Sequence, residues 1–277
     1  MIRVNGKAVE INHFPDGTLR LKVDQEVDNE ILWVYENEEE FAALIYITKH
    51  LKDFVYFKKV VLNMFYVPNA RMDRTKNSDE VFTLKYFSDV INWLGFDEIH
   101  VIDIHSDVGK ALLNKCCCGN VILYIAYALG YISEGKLSNV VLYFPDSGSA
   151  KRYLGLFEPN APYCYGEKKR DWNTGKILGL EIQDNGIDLK DKTILMIDDI
   201  ISYGGSLYYS AKALKEIGVG KIYAYATHTE NSILDKEKGT LIKALENNTV
   251  KKLFTTNSLF TGKHEKIEVM EIKNEKH

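Results

Sequence analysis

The chain alternates short apolar runs with longer stretches in which apolar residues recur every three or four positions. The short runs predict buried strands, and the longer stretches predict amphipathic helices. The predicted strands are Ile31–Tyr35, Lys59–Tyr66, Glu98–Ile104, Asn139–Phe144, Thr193–Ile197, Lys221–Thr227 and Lys252–Thr255. The predicted helices are Glu38–Leu51, Glu80–Leu94, Val121–Leu129, Ala150–Leu156 and Leu207–Ile217. This alternation predicts an α/β fold with mainly parallel sheets flanked by crossover helices.

The same order of elements occurs in both halves of the chain, although no close sequence repeat is visible. At 277 residues the chain is long enough for two modest domains. We expect these domains to be residues 1–125 and residues 126–277. In parallel α/β folds ligands bind beyond the carboxyl ends of the strands, so polar clusters at those ends are the candidate site residues.

One segment combines a strand, a turn and a helix start. The apolar run from Thr193 leads to Asp198 and Asp199, and a turn with Gly204 and Gly205 then opens a helix. Glycines let backbone N–H groups approach an anion, and a helix N-terminus favours negative charge. The two carboxylates suit ribose hydroxyls or a divalent cation. The segment is typical of a sugar-phosphate site, although acids at a strand end and glycines in a turn also occur for structural reasons alone.

The composition argues against several classes of function. A formal net charge of −4 does not suit a general nucleic-acid-binding protein, which normally carries a basic face. No apolar run has the length of a membrane span, and the longest, Val121–Leu129, is instead expected to be a buried helix. The N-terminus lacks the apolar core of a signal peptide. We therefore expect a cytoplasmic protein that binds neither membranes nor nucleic acid. Cys116–Cys118 and Cys164 lack the spacing of a zinc site, and we expect reduced, partly buried thiols.

The stretch from Asp198 to Ser206 resembles the phosphoribosyl-pyrophosphate (PRPP) loop of type I phosphoribosyltransferases and ribose-phosphate pyrophosphokinases. In that loop two acids and two apolar residues precede Asp-Thr-Gly-Gly-Thr. Further segments resemble the pyrophosphokinases, in the same order along the chain: Phe14–Gly17, Pro68–Arg74, Glu98–His105, Asn139–Arg152, Glu167–Asp171, Ala226–His228 and Thr255–Ser258. The resemblance covers nearly the whole chain. It implies two tandem phosphoribosyltransferase-like domains, the first serving ATP and the second the ribose phosphate.

The resemblance also implies roles for individual residues. ATP would be bound by Phe14, Asp16, Arg71, Asp73 and His105. The ribose phosphate would be bound by Asp198, Asp199, Ser202, Tyr203, Gly204, Gly205 and Ser206. Magnesium would be held by His105, Asp146, Asp198 and Asp199. The catalytic residues would be His105 together with Lys168 and Arg170, the last two on a mobile hairpin over the reacting phosphates.

The implied reaction moves the β,γ-diphosphate of ATP to the 1-hydroxyl of ribose 5-phosphate and releases AMP. Because several negative charges meet, such a site needs cations: arginine gives bidentate phosphate contacts and lysine a movable point charge. Mg²⁺ would be the cofactor, and the family resemblance implies a homo-oligomer. There is an alternative interpretation of each of these residues. Arg71, Lys168 and Arg170 could be ordinary surface charges, and His105 could be a half-buried structural histidine.

The loop departs from the family pattern at Ser202 and Tyr203, which stand where the family has Asp-Thr. A tyrosine ring does not fit the space of a threonine beside a compact phosphate, so we expect it to point elsewhere or to cover the pocket. Thr18 likewise replaces a glutamate of the adenine-contacting element. These departures raise the hypothesis that the acceptor is ADP-ribose, which relatives of the family pyrophosphorylate in NAD salvage. A phosphoribosyltransferase and a non-catalytic regulatory homologue are further alternatives.

Overall fold

A computed structural model of the chain describes residues 1–54, 56, 58–133, 135–170 and 177–272. The chain divides into two compact units, Met1–Asn120 and Val121–His277. The sequence-based division into functional domains 1–125 and 126–277 stays a prediction. Each unit has a sheet of its own, and the two are described in turn.

The first unit is built on a mixed sheet, most of which is parallel. Its strands are β1 (Ile2–Val4), β2 (Lys7–Ala8), β3 (Asn12–His13), β4 (Leu19–Arg20), β5 (Asp28–Trp33), β6 (Lys59–Asn63), β7 (Glu98–Ile102) and β8 (Cys116–Gly119). The main sheet has the order β2-β1-β5-β6-β7-β8, and β3 pairs with β4 in a separate hairpin. Strands β5 to β8 are parallel, whereas β1 runs antiparallel to both β2 and β5.

Helices α1 (Glu38–Asp53), α2 (Thr83–Leu94) and α3 (Asp107–Leu112) belong to this unit. Helix α1 begins where the Asn37 side chain accepts a hydrogen bond from the Glu40 N–H, which satisfies one of the unpaired donors of the first turn. Leu44, Ile47 and Leu51 recur at helical spacing on its buried face. Burying each such side chain contributes about 1.5–3 kcal/mol, so this face holds the helix in the apolar core of the first unit.

The second unit is built on a sheet that is parallel except at one edge. Its strands are β9 (Val140–Phe144), β10 (Tyr163–Arg170), β11 (Ile177–Gln183), β12 (Thr193–Ile201), β13 (Lys221–Thr229), β14 (Leu253–Thr256) and β15 (Ile267–Met270). The sheet order is β11-β10-β9-β12-β13-β14-β15, and only the pairing of β11 with β10 is antiparallel among the described residues. Strands β9 and β12 are almost continuously buried, as parallel strands covered on both faces must be.

Helices α4 (Ile122–Ser133), α5 (Ser147–Leu154), α6 (Gly205–Glu216) and α7 (Leu241–Glu246) complete the second unit. Short 3₁₀ turns occur at Leu137–Asn139 and Asn231–Leu234. The predicted α/β architecture, with mainly parallel sheets flanked by helices, is confirmed.

Two local expectations were wrong, and a third was right only in part. Strand β12 does not end at Ile197 but runs to Ile201, because β13 continues beside it and pairs Ile200 with His228 and Ile201 with Thr229. Helix α4 is not buried on all sides, since Leu123 and two tyrosines are exposed. The expectation of partly buried thiols holds for Cys116 and Cys164 but not for Cys117 and Cys118, which are exposed on β8 at the edge of the first sheet.

Within the described residues, no helix is both long enough and apolar enough to cross a membrane.

Candidate active site

The paired acids lie in the last four residues of β12. The pairing of β12 with β9 ends at Met196 and Tyr143, so Asp198 and Asp199 extend past the carboxyl end of that neighbour. Successive side chains of a strand start from opposite faces, but the two carboxylates remain close enough to interact directly. Asp198 keeps some exposure, whereas only 3% of Asp199 is exposed. The acids are adjacent in sequence, but their environments differ.

Arg152 of α5 contacts the buried carboxylate. Its Nη1 lies 3.1 Å from Oδ2 of Asp199, which pairs that negative charge with a guanidinium. Arg152 was not among the predicted site residues, although it ends the segment Asn139–Arg152 that resembles the family. The sequence feature that could have indicated a role for Arg152 is its position in α5, the helix that begins directly after β9.

Of the two acids, Asp198 is the one with a raised pKa. Burial and the neighbouring carboxylate of Asp199 raise its pKa well above the ordinary value, and Arg152 opposes this shift only in part. One of its oxygens, Oδ1, accepts a hydrogen bond of 3.0 Å from the Asp199 N–H. A bound cation or the hydroxyl donors of a sugar would stabilise the charged form of this carboxylate.

The predicted phosphate loop, Ser202–Ser206, follows β12 directly. Gly204 has φ of 82°, and a Cβ atom there would collide with the Cβ of Leu241, so this position requires glycine for two independent reasons. Helix α6 begins at Gly205, and the glycine at its cap has no side chain that would occupy the helix N-terminus. The first-turn N–H groups and the helix dipole therefore present an anion-binding end.

A second segment, residues 230–240, forms hydrogen bonds with the loop. The Ser202 hydroxyl donates to Oε2 of Glu230 at 2.9 Å, and Ser232 donates to the same oxygen at 3.0 Å. The Tyr203 carbonyl accepts from the Thr240 N–H and hydroxyl, both at 2.8 Å. Glu230 and Thr240 were not predicted, because nothing in their local pattern indicates contact with a loop that lies 28 and 37 residues earlier in the chain.

Tyr203 is 39% exposed, and the Lys238 Nζ lies 5.9 Å from the centroid of its ring.

The loop also borders a cavity of about 730 Å³. This cavity begins at Gly205 and Ser206 and continues along α6 past Tyr209 and Lys212. The phosphate loop is therefore next to additional empty space along α6.

Asp146 has a structural role at the start of α5. Its Oδ1 accepts a 2.9 Å hydrogen bond from the Ser149 N–H, which caps the helix. Its second oxygen stands at the carboxyl end of β9, where ligand-binding residues of parallel sheets occur. The magnesium role of Asp146 stays a prediction.

Lys168 and Arg170 lie on β10, the first strand of the hairpin with β11 at the sheet edge. The register pairs Lys168 with Leu180 and Arg170 with Ile177. Their side chains lie outside the described part of the chain, as do residues 171–176 at the hairpin end. The catalytic roles of both residues stay predictions.

The predicted ATP residues of the first unit occupy loops. Phe14 and Asp16 lie at the tip of the β3–β4 hairpin, and half of the Phe14 surface is exposed. Both the N–H and the hydroxyl of Thr18 donate to Oδ1 of Asp16, at 3.0 and 2.7 Å, and these bonds lower the Asp16 pKa. Thr18, which stands where the family has a glutamate, is therefore hydrogen-bonded within its own turn.

The other predicted ATP residues follow β6 and β7. Arg71 is exposed and Asp73 is partly exposed, in the loop after β6. His105 is partly exposed and follows Asp103, which is buried with φ of 50°. This left-handed residue turns the chain sharply at the end of β7 and directs it towards α3. Among the described residues, no three His, Cys, Asp or Glu side chains form a metal-binding group.

Comparisons with known proteins place this geometry in context. The chain is 30% identical over 228 residues to the ribose-phosphate pyrophosphokinase of Pyrococcus furiosus, covering 79% of this chain and 77% of the relative. It is 28% identical over 260 residues to that of Sulfurisphaera tokodaii, covering 91% and 84%. No family model matches the chain.

A crystal structure of phosphoribosylpyrophosphate synthetase from Mycobacterium smegmatis is similar with a TM-score of 0.75 at 20% identity. The match covers 95% of this chain and 86% of that one. This likeness confirms the predicted fold of two tandem phosphoribosyltransferase-like domains.

Proposed function

The chain belongs to the ribose-phosphate pyrophosphokinase family, and from this premise we propose that it makes PRPP and AMP from ATP and ribose 5-phosphate. The observation that carries the proposal is the arrangement of Asp198 and Asp199 immediately before a glycine-bounded helix N-terminus. This arrangement offers carboxylates for sugar hydroxyls and N–H groups for a phosphate within one short segment.

In the proposed complex the 5-phosphate binds at the start of α6. The N–H groups of Gly205 and Ser206 donate to its oxygens, and the helix dipole adds a favourable field. Asp198 accepts hydrogen bonds from the ribose hydroxyls, while Arg152 holds Asp199 in place behind it. The support of the loop by Glu230 and Thr240 reduces the reorganisation needed on binding.

The reaction forms one bond and breaks one. The 1-hydroxyl oxygen of the sugar attacks the β-phosphorus of ATP, and the bond from that phosphorus to the oxygen shared with the α-phosphorus breaks. AMP leaves with the electron pair, and the hydroxyl proton passes to water or to a nearby base. Such transfers depend on in-line positioning and charge neutralisation. We assign the neutralising cations to Arg71, Lys168 and Arg170.

Mg²⁺ fits the donor set of this chain. Magnesium is usually bound through one or two carboxylates, substrate phosphates and water, so it needs no all-protein cage. The raised pKa of Asp198 marks a carboxylate whose charged form gains from a cation. We propose Asp146, Asp198 and Asp199 as magnesium ligands of the second unit, and His105 as a magnesium ligand of the first unit. When bound, the ion supplies positive charge to the phosphate oxygens.

The test is AMP release from ATP with magnesium and ribose 5-phosphate, followed by phosphorus NMR of the product. We expect AMP and PRPP in equal amounts. PRPP consumption that depends on an added nucleobase would instead favour a phosphoribosyltransferase. ATP binding without turnover on any ribose donor would favour a non-catalytic homologue.

A second candidate acceptor is ADP-ribose, which extends the 5-phosphate by an AMP group. Two observations favour it: the exposed ring of Tyr203 at the loop, and the cavity that continues from Ser206 along α6. Aromatic rings beside a phosphate site can stack on a second adenine. Tyr203→Thr, which restores the family residue, would then reduce kcat/KM for ADP-ribose more than for ribose 5-phosphate. An equal effect on both acceptors would remove the case for ADP-ribose.

A further inference from the structure

Tyr143 is a buried tyrosine whose hydroxyl reaches from the sheet of the second unit to helix α6. It lies on β9, pairs with Met196 of the acid-bearing strand β12, and is fully buried. Its hydroxyl donates to Oγ of Ser210 on α6 at 2.7 Å, and both groups are buried. Tyr143 therefore contacts the helix whose start is proposed to bind the 5-phosphate.

The contact continues through Ser210 into the first turn of α6. The Ser210 hydroxyl donates to the Ser206 carbonyl at 2.9 Å. A carbonyl only accepts, so the single Ser210 hydroxyl proton points at Ser206, and the Tyr143 proton points at Ser210. The two bonds form a hydrogen-bonded chain with one direction, from Tyr143 through Ser210 to Ser206, which we call the Tyr143 chain.

The Ser206 carbonyl belongs to the same peptide group as the Leu207 N–H. Helix α6 makes its first intrahelical bond from the Tyr208 N–H to the Gly204 carbonyl, at 3.0 Å, so the Leu207 N–H is one of the first-turn donors that precede the helical ladder. A hydrogen bond accepted by a carbonyl polarises the peptide group, and consecutive bonds strengthen one another. The Tyr143 chain therefore fixes this peptide group and makes the Leu207 N–H a better donor to an anion.

The Tyr143 hydroxyl is also confined from the side of the hairpin. A Cβ atom at Gly166 on β10 would collide with that hydroxyl and would lie 2.9 Å from the Pro145 carbonyl oxygen, so the β10 backbone packs directly against it. Burial raises the pKa of Tyr143 above its ordinary value, so the hydroxyl keeps its proton and remains a donor at neutral pH. The hydroxyl is therefore held between β10 and α6.

Each bond of the chain also has an ordinary structural explanation. A serine in a helix often bonds the carbonyl four residues earlier, and a buried tyrosine usually finds a hydrogen-bond partner. On that explanation the two bonds only stabilise the fold, and phosphate binding does not depend on them. The two interpretations therefore differ in what they predict for binding.

We propose that Tyr143 is a positioning residue for the phosphate of the acceptor, acting through Ser210 on the Leu207 N–H. The proposal rests on the proposed function, because it takes the start of α6 as the binding site of the 5-phosphate. Tyr143 touches no substrate atom in this scheme, since first-turn N–H groups hold the phosphate. Loss of the chain should therefore weaken binding of the sugar phosphate and leave ATP binding unchanged.

Two substitutions break the chain at different points. Tyr143→Phe removes the hydroxyl and keeps the ring, so the packing around β9 is retained. Ser210→Ala removes the middle group, and because alanine is the better helix former, the test does not depend on one variant folding. Tyr225→Phe is the matched control: Tyr225 is also fully buried, but its hydroxyl is 3.0 Å from Oγ1 of Thr227 on its own strand.

The first measurement is binding of ribose 5-phosphate and of inorganic phosphate, without ATP, by titration calorimetry. We expect the Kd to rise about fivefold in Ser210→Ala, which corresponds to the loss of one ordinary hydrogen bond, and about threefold in Tyr143→Phe. The double variant should bind no more weakly than Ser210→Ala, because both changes break the same chain. Tyr225→Phe should bind as the wild type does.

Steady-state kinetics give the second measurement. The KM for the sugar phosphate should rise in Tyr143→Phe and Ser210→Ala while the KM for ATP stays constant, whereas a loss of folded protein would lower kcat and change neither KM. Unchanged binding in both variants, an equal loss in Tyr225→Phe, or multiplied losses in the double variant would overturn the proposal.

The binding measurement also separates this proposal from the proposed function. Wild-type protein that binds ribose 5-phosphate but releases no AMP would contradict the proposed function, and weaker binding by Tyr143→Phe would still support the positioning role. Wild-type protein that binds neither the sugar phosphate nor inorganic phosphate would overturn both.

Discussion

The phosphate loop of the second unit and the predicted ATP residues of the first unit differ in how much of the protein holds them. Gly204 lies against Leu241, and the loop is bonded to Glu230 and Thr240. Phe14 and Arg71, by contrast, are exposed. The loop geometry is thus fixed before a ligand arrives, whereas the ATP residues have much less packing around them. Substitutions in the loop should therefore affect both folding and binding, and substitutions among the ATP residues should affect binding alone.

Gly204→Ala should have the largest effect. Alanine at φ of 82° is strained by about 1–2 kcal/mol, and its methyl group would in addition displace Leu241. We expect a loss of about 3 kcal/mol in the free energy of unfolding and no measurable AMP release. Urea unfolding and the AMP assay measure the two effects.

Gly186→Ala is the control for that variant. Gly186 has φ of 79°, but a Cβ atom there would have no neighbour within 4 Å, so this position carries the strain without the collision. The variant should lose only about 1 kcal/mol and keep its activity. Equal losses in the two variants would show that the contact with Leu241 contributes nothing.

Asp198→Asn should separate stability from activity. The folded state raises the Asp198 pKa above the unfolded value of about 3.9, so the protonated form favours folding. That contribution is complete below about pH 4 and is lost as the pH rises through the folded pKa. Asparagine stays neutral and should therefore unfold at or above the wild-type temperature at pH 7, with no such advantage at about pH 4.

The same variant should lose most of its activity. An amide neither binds a cation as a carboxylate does nor accepts sugar hydroxyl bonds as strongly, and we expect kcat/KM to fall about 100-fold or more. Thermal unfolding between acid and neutral pH, together with AMP release, gives both readouts. Lower stability of Asp198→Asn at pH 7 would contradict the assigned direction of the pKa shift.

The contrast between the two regions also explains which features could be predicted from the sequence and which could not. The loop was predicted because Asp198, Asp199 and the glycines are contiguous, and the strand before them is an unbroken apolar run. The four residues by which β12 exceeds the predicted strand depend on pairing with β13, which a local pattern does not contain. The supports Arg152, Glu230 and Leu241 come from distant segments for the same reason.

Other elements lacked any periodic signal. Strand β8 is a run of cysteines without alternation, and the hairpin of β10 and β11 reads as a basic segment. The exposed side of α4 was missed because apolar residues occur on both sides of that helix, and composition alone indicated burial. Hydrophobic pattern thus located the cores of both units, but not the surfaces at which apolar residues remain exposed.

Ser202→Ala should have a moderate effect that tests the support of the loop. Removing its hydrogen bond to Glu230 should cost about 1 kcal/mol of stability and raise the KM for the sugar phosphate several-fold. Ser232→Ala is a matched control, since Ser232 donates to the same Glu230 oxygen from outside the loop. An equal rise in KM for both variants would mean that Glu230, rather than the loop hydroxyl, governs sugar binding.

Thr18→Glu should have the smallest effect, confined to ATP. Thr18 is exposed at the hairpin tip, so replacing it leaves the packing of the first unit unchanged and the unfolding temperature near that of the wild type. The glutamate restores the residue that the family carries at this position and removes the hydroxyl bond to Asp16. If the hairpin contacts adenine, the KM for ATP should fall a few-fold while the KM for the sugar phosphate stays constant.

Thr18→Val separates the two consequences of that change, because it removes the hydroxyl bond without adding a carboxylate. A fall in the KM for ATP with valine as well would assign the effect to the release of Asp16. An unchanged KM for ATP in both variants would place adenine binding away from this hairpin. The exposure of Phe14 at the tip of this hairpin would then have a cause other than adenine recognition.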